Sequence, residues 1–383
     1  MRRPAQLVIC VTVFVDLLGF TLILPALPFF AAELGAGGAW FGVTMSAYSV
    51  AQFLSAPVLG RLSDRYGRRP LVLVALAGSA GSLALTGVAT SLGWLVACRA
   101  LAGAFGGSIS VAQAYLADAV PPERRTGAMA RRGASIGLAF VLGPALGALL
   151  APWGFQAAAY VAAALCAANL AAAWRFLPEP ARRRPDAAPR GRAGLSALLL
   201  AGTGFLTMAA FVGMETTLAF LGRDRFGWDA AGIGLALAAA GLAMAAVQAG
   251  AVAALVRRWG EARVAAAGAV AMAAGMLAIP AVPAWACVAA VCLLAAGNGL
   301  VTPTVASLLA AAGPPGGRGA RLGTGESAKA LARAAGPVGA GLLFELGTAL
   351  PYLAGAGLAG LATASVLATR AAGRVPERQE EGV

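Results

Sequence analysis

Gly60-Arg61-Leu62-Ser63-Asp64-Arg65-Tyr66-Gly67-Arg68-Arg69 joins two long apolar runs, and its surroundings decide the fold. Charged residues and glycines dominate this stretch, yet the segments on either side hold almost no charge. The same contrast recurs along the whole chain of 383 residues, of which 60% are hydrophobic and only 12% charged. A soluble domain carries about 25% charged residues, so this chain has too little charge to cover a water-facing surface. The apolar runs are instead long enough to cross a bilayer, which takes about 20 residues each.

Twelve spans are predicted, at about 7–30, 40–60, 70–89, 93–117, 128–151, 156–177, 195–221, 230–255, 263–281, 285–311, 326–347 and 351–369. They are expected to be α-helices, because a span in lipid must satisfy its own backbone hydrogen bonds. The first is read as an uncleaved helix, since its apolar run is too long for a signal peptide. The net charge of +13 is carried by arginines in short loops. It is therefore read as topology and not as a nucleic-acid surface. With both termini in the cytoplasm, the outer loops hold only Arg223 and Arg225, and Arg99 is intramembrane.

The chain also repeats itself. Tyr66-Gly67, Pro121-Pro122, Arg125 and Gly143-Pro144 recur 193 residues later as Trp259-Gly260, Pro314-Pro315, Arg318 and Gly336-Pro337. One shared offset implies a duplicated six-span unit, with the copies parallel because the span count is even. The fold expected is an all-α membrane protein of two parallel, pseudo-symmetric six-helix bundles. Their bounds are 1–177 and 195–383, joined by a cytoplasmic linker, 178–194, rich in proline and arginine. The linker's charge suits contact with anionic lipid headgroups.

No histidine is present, and the five cysteines have neither metal nor disulfide spacing. No nucleotide-binding loop of the G-x-x-x-x-G-K type occurs. No cofactor, metal or enzymatic activity is expected, and any intramembrane proton carrier must be a carboxylate.

Two acids stand inside spans. Asp16 lies nine residues beyond Leu7, about 13 Å along a helix and near mid-bilayer. A carboxylate there is costly and by default a functional candidate. Glu215 sits in the outer part of the seventh span. Arg99 enters the fourth span from outside, and is expected to couple to a carboxylate, Asp16 before Glu215. The intramembrane amides Gln52, Gln113 and Asn298 are candidates for substrate binding; each suits a helix–helix hydrogen bond equally well. Glu326, Lys329 and Arg333 share one face at the start of the eleventh span and are read as cytoplasmic gate charges.

In the opening loop, Gly60 would let helices approach and Gly67 would take positive φ for a tight turn. Asp64 could cap a helix N-terminus, and the arginines could pair with Asp118 or Glu123.

The whole pattern closely resembles the loop signature of the major facilitator superfamily, G-x-L-x-D-R-x-G-R-R. The resemblance implies a cytoplasmic gate of Gly60, Asp64, Arg65, Gly67, Arg68, Arg69 and Asp118, with Asp64 against the start of span eleven and Arg68 or Arg69 against Asp118. Asp16 to Pro28 resembles the first helix of twelve-span drug/proton antiporters. Arg99, four residues before Gly103, resembles the family's fourth-span motif. Ala139 to Ala148, with Gly143-Pro144, resembles the antiporter signature G-x-x-x-G-P-x-x-G-G, although alanines replace two glycines. Pro144 should kink its helix.

These likenesses imply a monomeric, proton-coupled exporter of amphipathic small molecules in a bacterial inner membrane, similar to multidrug or tetracycline exporters. Asp16 would be the first proton site and Glu215 the second. The alternative is a carrier for a defined metabolite, such as a sugar or amino acid. The third span lacks the acid that tetracycline pumps typically carry, offering only Ser79, Ser82 and Thr86.

Overall fold

The computed structural model describes residues 3–106, 115, 122–179, 194–313 and 318–371, with the side chains of 3–7, 64, 122–134, 318–320 and 370–371 left out. Asp118, Gln113 and most of the linker lie outside the described residues.

Fourteen α-helices make up the described chain, and no strand occurs among the described residues. In the first half they are α1 (Arg3–Leu22), α2 (Leu27–Glu33), α3 (Gly38–Tyr66), α4 (Arg68–Gly87), α5 (Leu92–Phe105), α6 (Pro122–Leu150) and α7 (Gly154–Phe176). The second half holds α8 (Leu195–Phe226), α9 (Ala230–Ala246), α10 (Val252–Trp259), α11 (Glu261–Ala278), α12 (Ala284–Ala311), α13 (Arg318–Leu346) and α14 (Leu350–Ala371). Two pairs each form a single span, so the fourteen helices make twelve spans. Among the described residues, eight apolar stretches meet strict length and composition for crossing a membrane, and one of them, Ser135–Phe176, runs from within α6 through α7. The others fall short because Ser, Tyr, Gln and Gly dilute the apolar run of α3, because charges stand in α13, and because α5 is short in its described part.

The sequence predicts an unbroken first span, but the chain turns between α1 and α2. Pro25 has no N–H to give Thr21, and the Thr21 carbonyl instead accepts from Leu24 at 3.3 Å. Pro28 then opens α2, where a missing donor does no harm. The eighth span is interrupted by a π-turn at Val247–Ala251 between α9 and α10. Helices α3, α6 and α13 run several residues past the predicted spans at their charged ends, because a solvated charged turn can still close its own backbone bonds.

All seven tryptophans lie at or between helix ends. Trp40, Trp153, Trp174 and Trp285 are well exposed. This is the aromatic belt of a membrane protein, where the amphipathic ring sits at headgroup level. Exposed Leu54, Val58, Leu235, Leu242 and Leu361 lie between these ends. On a lipid-facing surface they need no cover.

Two compact units are formed. The first comprises Met1–Arg184 and Leu218–Gly241, and the second Pro185–Thr217 and Leu242–Val383. The end of α8 and the start of α9 thus pack with the first unit, although the repeat assigns them to the second half.

Within each unit the packing repeats. Helix α4 lies against α5 and α7 in the first, and α11 lies against α12 and α14 in the second. The duplicated glycines behave alike: Gly67 and Gly260 take φ of 113° and 80°, with ψ of 159° and 157°. Both are turns that an L side chain would strain. Gly143 meets Thr21 of α1, and its counterpart Gly336 meets Val212 and Ala209 of α8.

The first unit's core has two main clusters. One gathers Leu22, Ile23, Leu27, Phe30, Phe41 and Phe155, with Phe30 stacked on Phe155 at 4.2 Å. The other holds Ile9, Val13, Leu59, Leu76 and Tyr115.

Candidate functional site

Helix α1 delivers Asp16 to a cleft of about 390 Å³ in the first unit, lined also by Phe20, Tyr48, Ser79, Ser82 and Arg99. Asp16 is 8% exposed and Arg99 only 1%. The guanidinium of Arg99 lies over two rings, Phe20 at 5.1 Å and Tyr48 at 4.8 Å. A cation held against π-faces away from water gains about 2 kcal/mol or more. The structure therefore brings Asp16 and Arg99 into one cleft, as their coupling requires.

Gly103 explains the spacing of the Arg99 motif. A Cβ there would stand 2.0 Å from the carbonyl oxygen of Tyr48. Only glycine lets α5 press onto α3 at the residue whose ring faces Arg99. Gln52 donates to the Gly106 carbonyl at 2.8 Å. Its amide ties α3 to the end of α5, one of the two roles expected of it.

Gly143 and Pro144 form the junction of α6 with α1 and α9. Thr21 donates to the Ala139 carbonyl at 2.9 Å, crossing from α1 to α6. Pro144 leaves the Phe140 carbonyl without its helical donor. That carbonyl stands 2.9 Å from where a Cβ of Gly241 would be, and the Pro144 carbonyl 2.7 Å from that of Gly234. The stretch around Pro144 is thus a close seat for α9.

The loop between α3 and α4 departs from expectation in two places. The motif predicts that Gly60 admits a neighbouring helix, but among the described residues a Cβ there meets nothing within 4 Å. Asp64 lies in the last turn of α3, not ahead of a helix. The first N–H groups of α4 are instead taken by Glu179, whose carboxylate accepts from Arg68 N at 2.7 Å and Arg69 N at 2.9 Å. Sequence reasoning missed Glu179 because it lies about 110 residues away. The available signal was an acid directly after span six, beside a helix start that lacked its own.

Around it, Arg68 donates to Ser63 at 2.6 Å, Arg69 to the Trp174 carbonyl, and Tyr115 to the Pro178 carbonyl at 2.6 Å. Arg65 lies over the ring of Tyr66 at 5.4 Å. The second copy supplies its own acid: Glu261 opens α11 and accepts from Ser307.

Two outcomes are expected at this loop. Glu179→Ala should lower stability by about 1 kcal/mol, the ordinary worth of an N-terminal cap, read as a fall in the thermal unfolding midpoint. Gly67→Ala should destabilise by about 1 kcal/mol or more through its positive φ, whereas Gly60→Ala, in open space, should be neutral or slightly stabilising. Equal effects at Gly60 and Gly67 in the same melting assay would remove the turn's strain as the cause.

Helix α12 buries Asn298, 7% exposed, whose carbonyl oxygen accepts from Thr302 at 3.2 Å. It lines a second cleft, within the second unit, together with Thr207, Glu326 and Lys329. Glu215 is half-buried in α8. Arg321 closes the end of α12, donating to the carbonyls of Leu309 at 3.1 Å and Ala310 at 2.7 Å. No cluster of metal-ligating residues occurs among the described residues.

The family model described as Major Facilitator Superfamily matches residues 9–253 and 200–382. The class G tetracycline resistance protein of Vibrio anguillarum is 32% identical, over 90% of this chain and 91% of that protein. The class D protein of Salmonella ordonez is 30% identical, over 88% and 89%. Among solved structures, the human organic anion transporter MFSD10 superposes with a TM-score of 0.72 at 30% identity, over 95% of this chain and 99% of that one. The nucleoside transporter NupG superposes with a TM-score of 0.72 at 13% identity, over 97% of this chain and 100% of that one, and shares the fold.

Proposed function

Since the chain belongs to the major facilitator superfamily, and is a multi-pass membrane transporter of small molecules and not an enzyme, we propose that it exports amphipathic solutes by alternating access in exchange for protons. The observation that carries this reading is the cleft in which Asp16, 8% exposed, shares its walls with Arg99, 1% exposed between two aromatic rings. A carboxylate enclosed at this depth is poorly solvated and changes its interaction with a neighbouring cation when it takes up a proton. That change is what couples protonation to helix movement.

Three further features support export. The antiporter-type stretch at Gly143-Pro144 packs closely on Gly234 and Gly241 of α9. The tetracycline resistance relatives align over most of their length. The name of the human transporter records organic anions, so small organic solutes recur among the similar proteins. Glu215 is the second proton site. Asp64, Arg65, Arg68, Arg69 and Asp118 form the cytoplasmic gate, and Gln113 lines the solute path. The protein works as a monomer, in a bacterial inner membrane, with both termini cytoplasmic.

The test is dye flux in proteoliposomes of the purified chain under an imposed proton gradient. Accumulation should follow the gradient and reverse when the gradient is inverted. Flux that ignores the gradient in both directions would remove proton exchange and leave only the carrier fold.

A further inference from the structure

The second unit has an open cleft between α8, α12 and α13 that the proton site does not use. Its walls are apolar: Leu200, Met208, Val301, Val305, Leu309 and Leu322. Its polar groups are unevenly divided. Lys329, the chain's single lysine, reaches in from α13 with a side chain only 19% exposed. Its stem passes Gly204 of α8, 3.6 Å from where a Cβ would stand, so a larger residue at 204 would fill the path. Asn298 turns its carbonyl oxygen to Thr302 and its amide nitrogen towards the Met244 sulfur at 3.9 Å, a weak acceptor. The Thr207 hydroxyl is spent on the Thr203 carbonyl at 2.9 Å.

Lys329 and the Asn298 amide thus offer donors to the interior, and Glu326 is the carboxylate on its wall. The charge opposite Lys329 is Glu326, at 2.5 Å, and Glu326 is itself 66% exposed. Water reaches this pair from the Glu326 side and screens it, so the carboxylate is the partner that can be exchanged. A carboxylate that can swing into water holds a place that another anion can take. An ammonium on an apolar wall, with a carboxamide beside it, suits an acidic headgroup on a hydrophobic body.

We propose that this cleft binds a small amphipathic organic anion, with Lys329 as the charge anchor and Glu326 as an internal carboxylate that the solute displaces. Its transport consequence rests on the carrier reading above, while the binding itself does not. The proposal also accounts for Lys329, which a gate role leaves facing a cleft in its own unit.

The experiment uses the full chain in phosphatidylcholine nanodiscs. Fluorescein is the anionic probe and rhodamine 123 its cationic counterpart on the same ring system, both read by fluorescence polarisation. Losing one charge-assisted hydrogen bond should make Lys329→Gln bind fluorescein about tenfold more weakly. Lys329→Arg, which keeps the charge, should stay within about threefold, and Glu326→Gln should bind about threefold more tightly because the competitor is gone. Rhodamine 123 binding should not change in any variant.

Unchanged fluorescein affinity in Lys329→Gln, or equal gains for both dyes in Glu326→Gln, would overturn the proposal. If phosphatidylglycerol abolished fluorescein binding, a lipid headgroup would be the occupant and the solute reading would fall. The two readings also fail separately. Lys329-dependent fluorescein binding without gradient-driven flux would sink proton exchange alone. Gradient-driven rhodamine flux in a protein that never binds fluorescein would sink the anion site alone.

Discussion

Asp16→Asn should leave a folded carrier that still exchanges solute but no longer accumulates it against a gradient. Asparagine has nearly the same shape as aspartate, so the cleft with Phe20, Tyr48 and Arg99 should keep its form. The amide, however, cannot gain or lose a proton in the working pH range. Driving a two-state equilibrium from 1:99 to 99:1 takes about 5.5 kcal/mol of differential interaction. A change of charge beside a guanidinium that is 1% exposed is the kind of event that supplies it, and an amide supplies none. Proton-driven accumulation in proteoliposomes should therefore disappear, while counterflow with solute on both sides persists. Glu215→Gln, at a half-buried position, should reduce accumulation by a smaller factor. Retained accumulation in Asp16→Asn, with the gradient verified by a pH-sensitive dye, would take Asp16 out of the mechanism.

The second large effect is one of packing. Gly103→Val should cost about 3 kcal/mol, at the top of the usual range for overfilling a close-packed contact. The Cβ alone would stand 2.0 Å from a backbone oxygen, that of Tyr48, and 2.8 Å from its carbonyl carbon. A backbone cannot rotate aside as a side chain can, so α5 must move off α3. Arg99, four residues earlier on α5, would then lose its seat over Tyr48 and Phe20. Transport should be lost together with stability.

Gly93→Ala in the same helix is the control, because a Cβ there meets nothing within 4 Å. It should be neutral or slightly stabilising, since alanine is the better helix former. Thermal unfolding in detergent separates the two variants. Equal melting temperatures for Gly103→Val and Gly93→Ala would mean that the α3–α5 approach is not tight.

Legibility in the sequence followed the range of the forces involved. Apolar run length, arginine placement and the 193-residue repeat are local or statistical properties. They were enough to place twelve spans and both members of the Gly67 and Gly260 pair. The breaks at Ile23–Ala26 and Val247–Ala251 escaped, because hydropathy does not record where a helix changes its hydrogen-bond register.

At the site, a buried acid and a buried arginine were each legible as costly groups in lipid. Their pairing was expected as well, but the two rings that hold Arg99 were not legible. Glu179 was invisible for the same reason, since its partners lie across the fold from it.

The amino-acid sequence alone determined that this chain crosses the membrane twelve times as a duplicated unit with acids inside it. Those outcomes depend on solvation, and each residue answers the choice between lipid and water largely by itself. Tertiary structure decided which helices touch, what caps α4, and that Lys329 faces a cleft. Those contacts depend on the simultaneous position of groups far apart in the chain, so no stretch read on its own contains them.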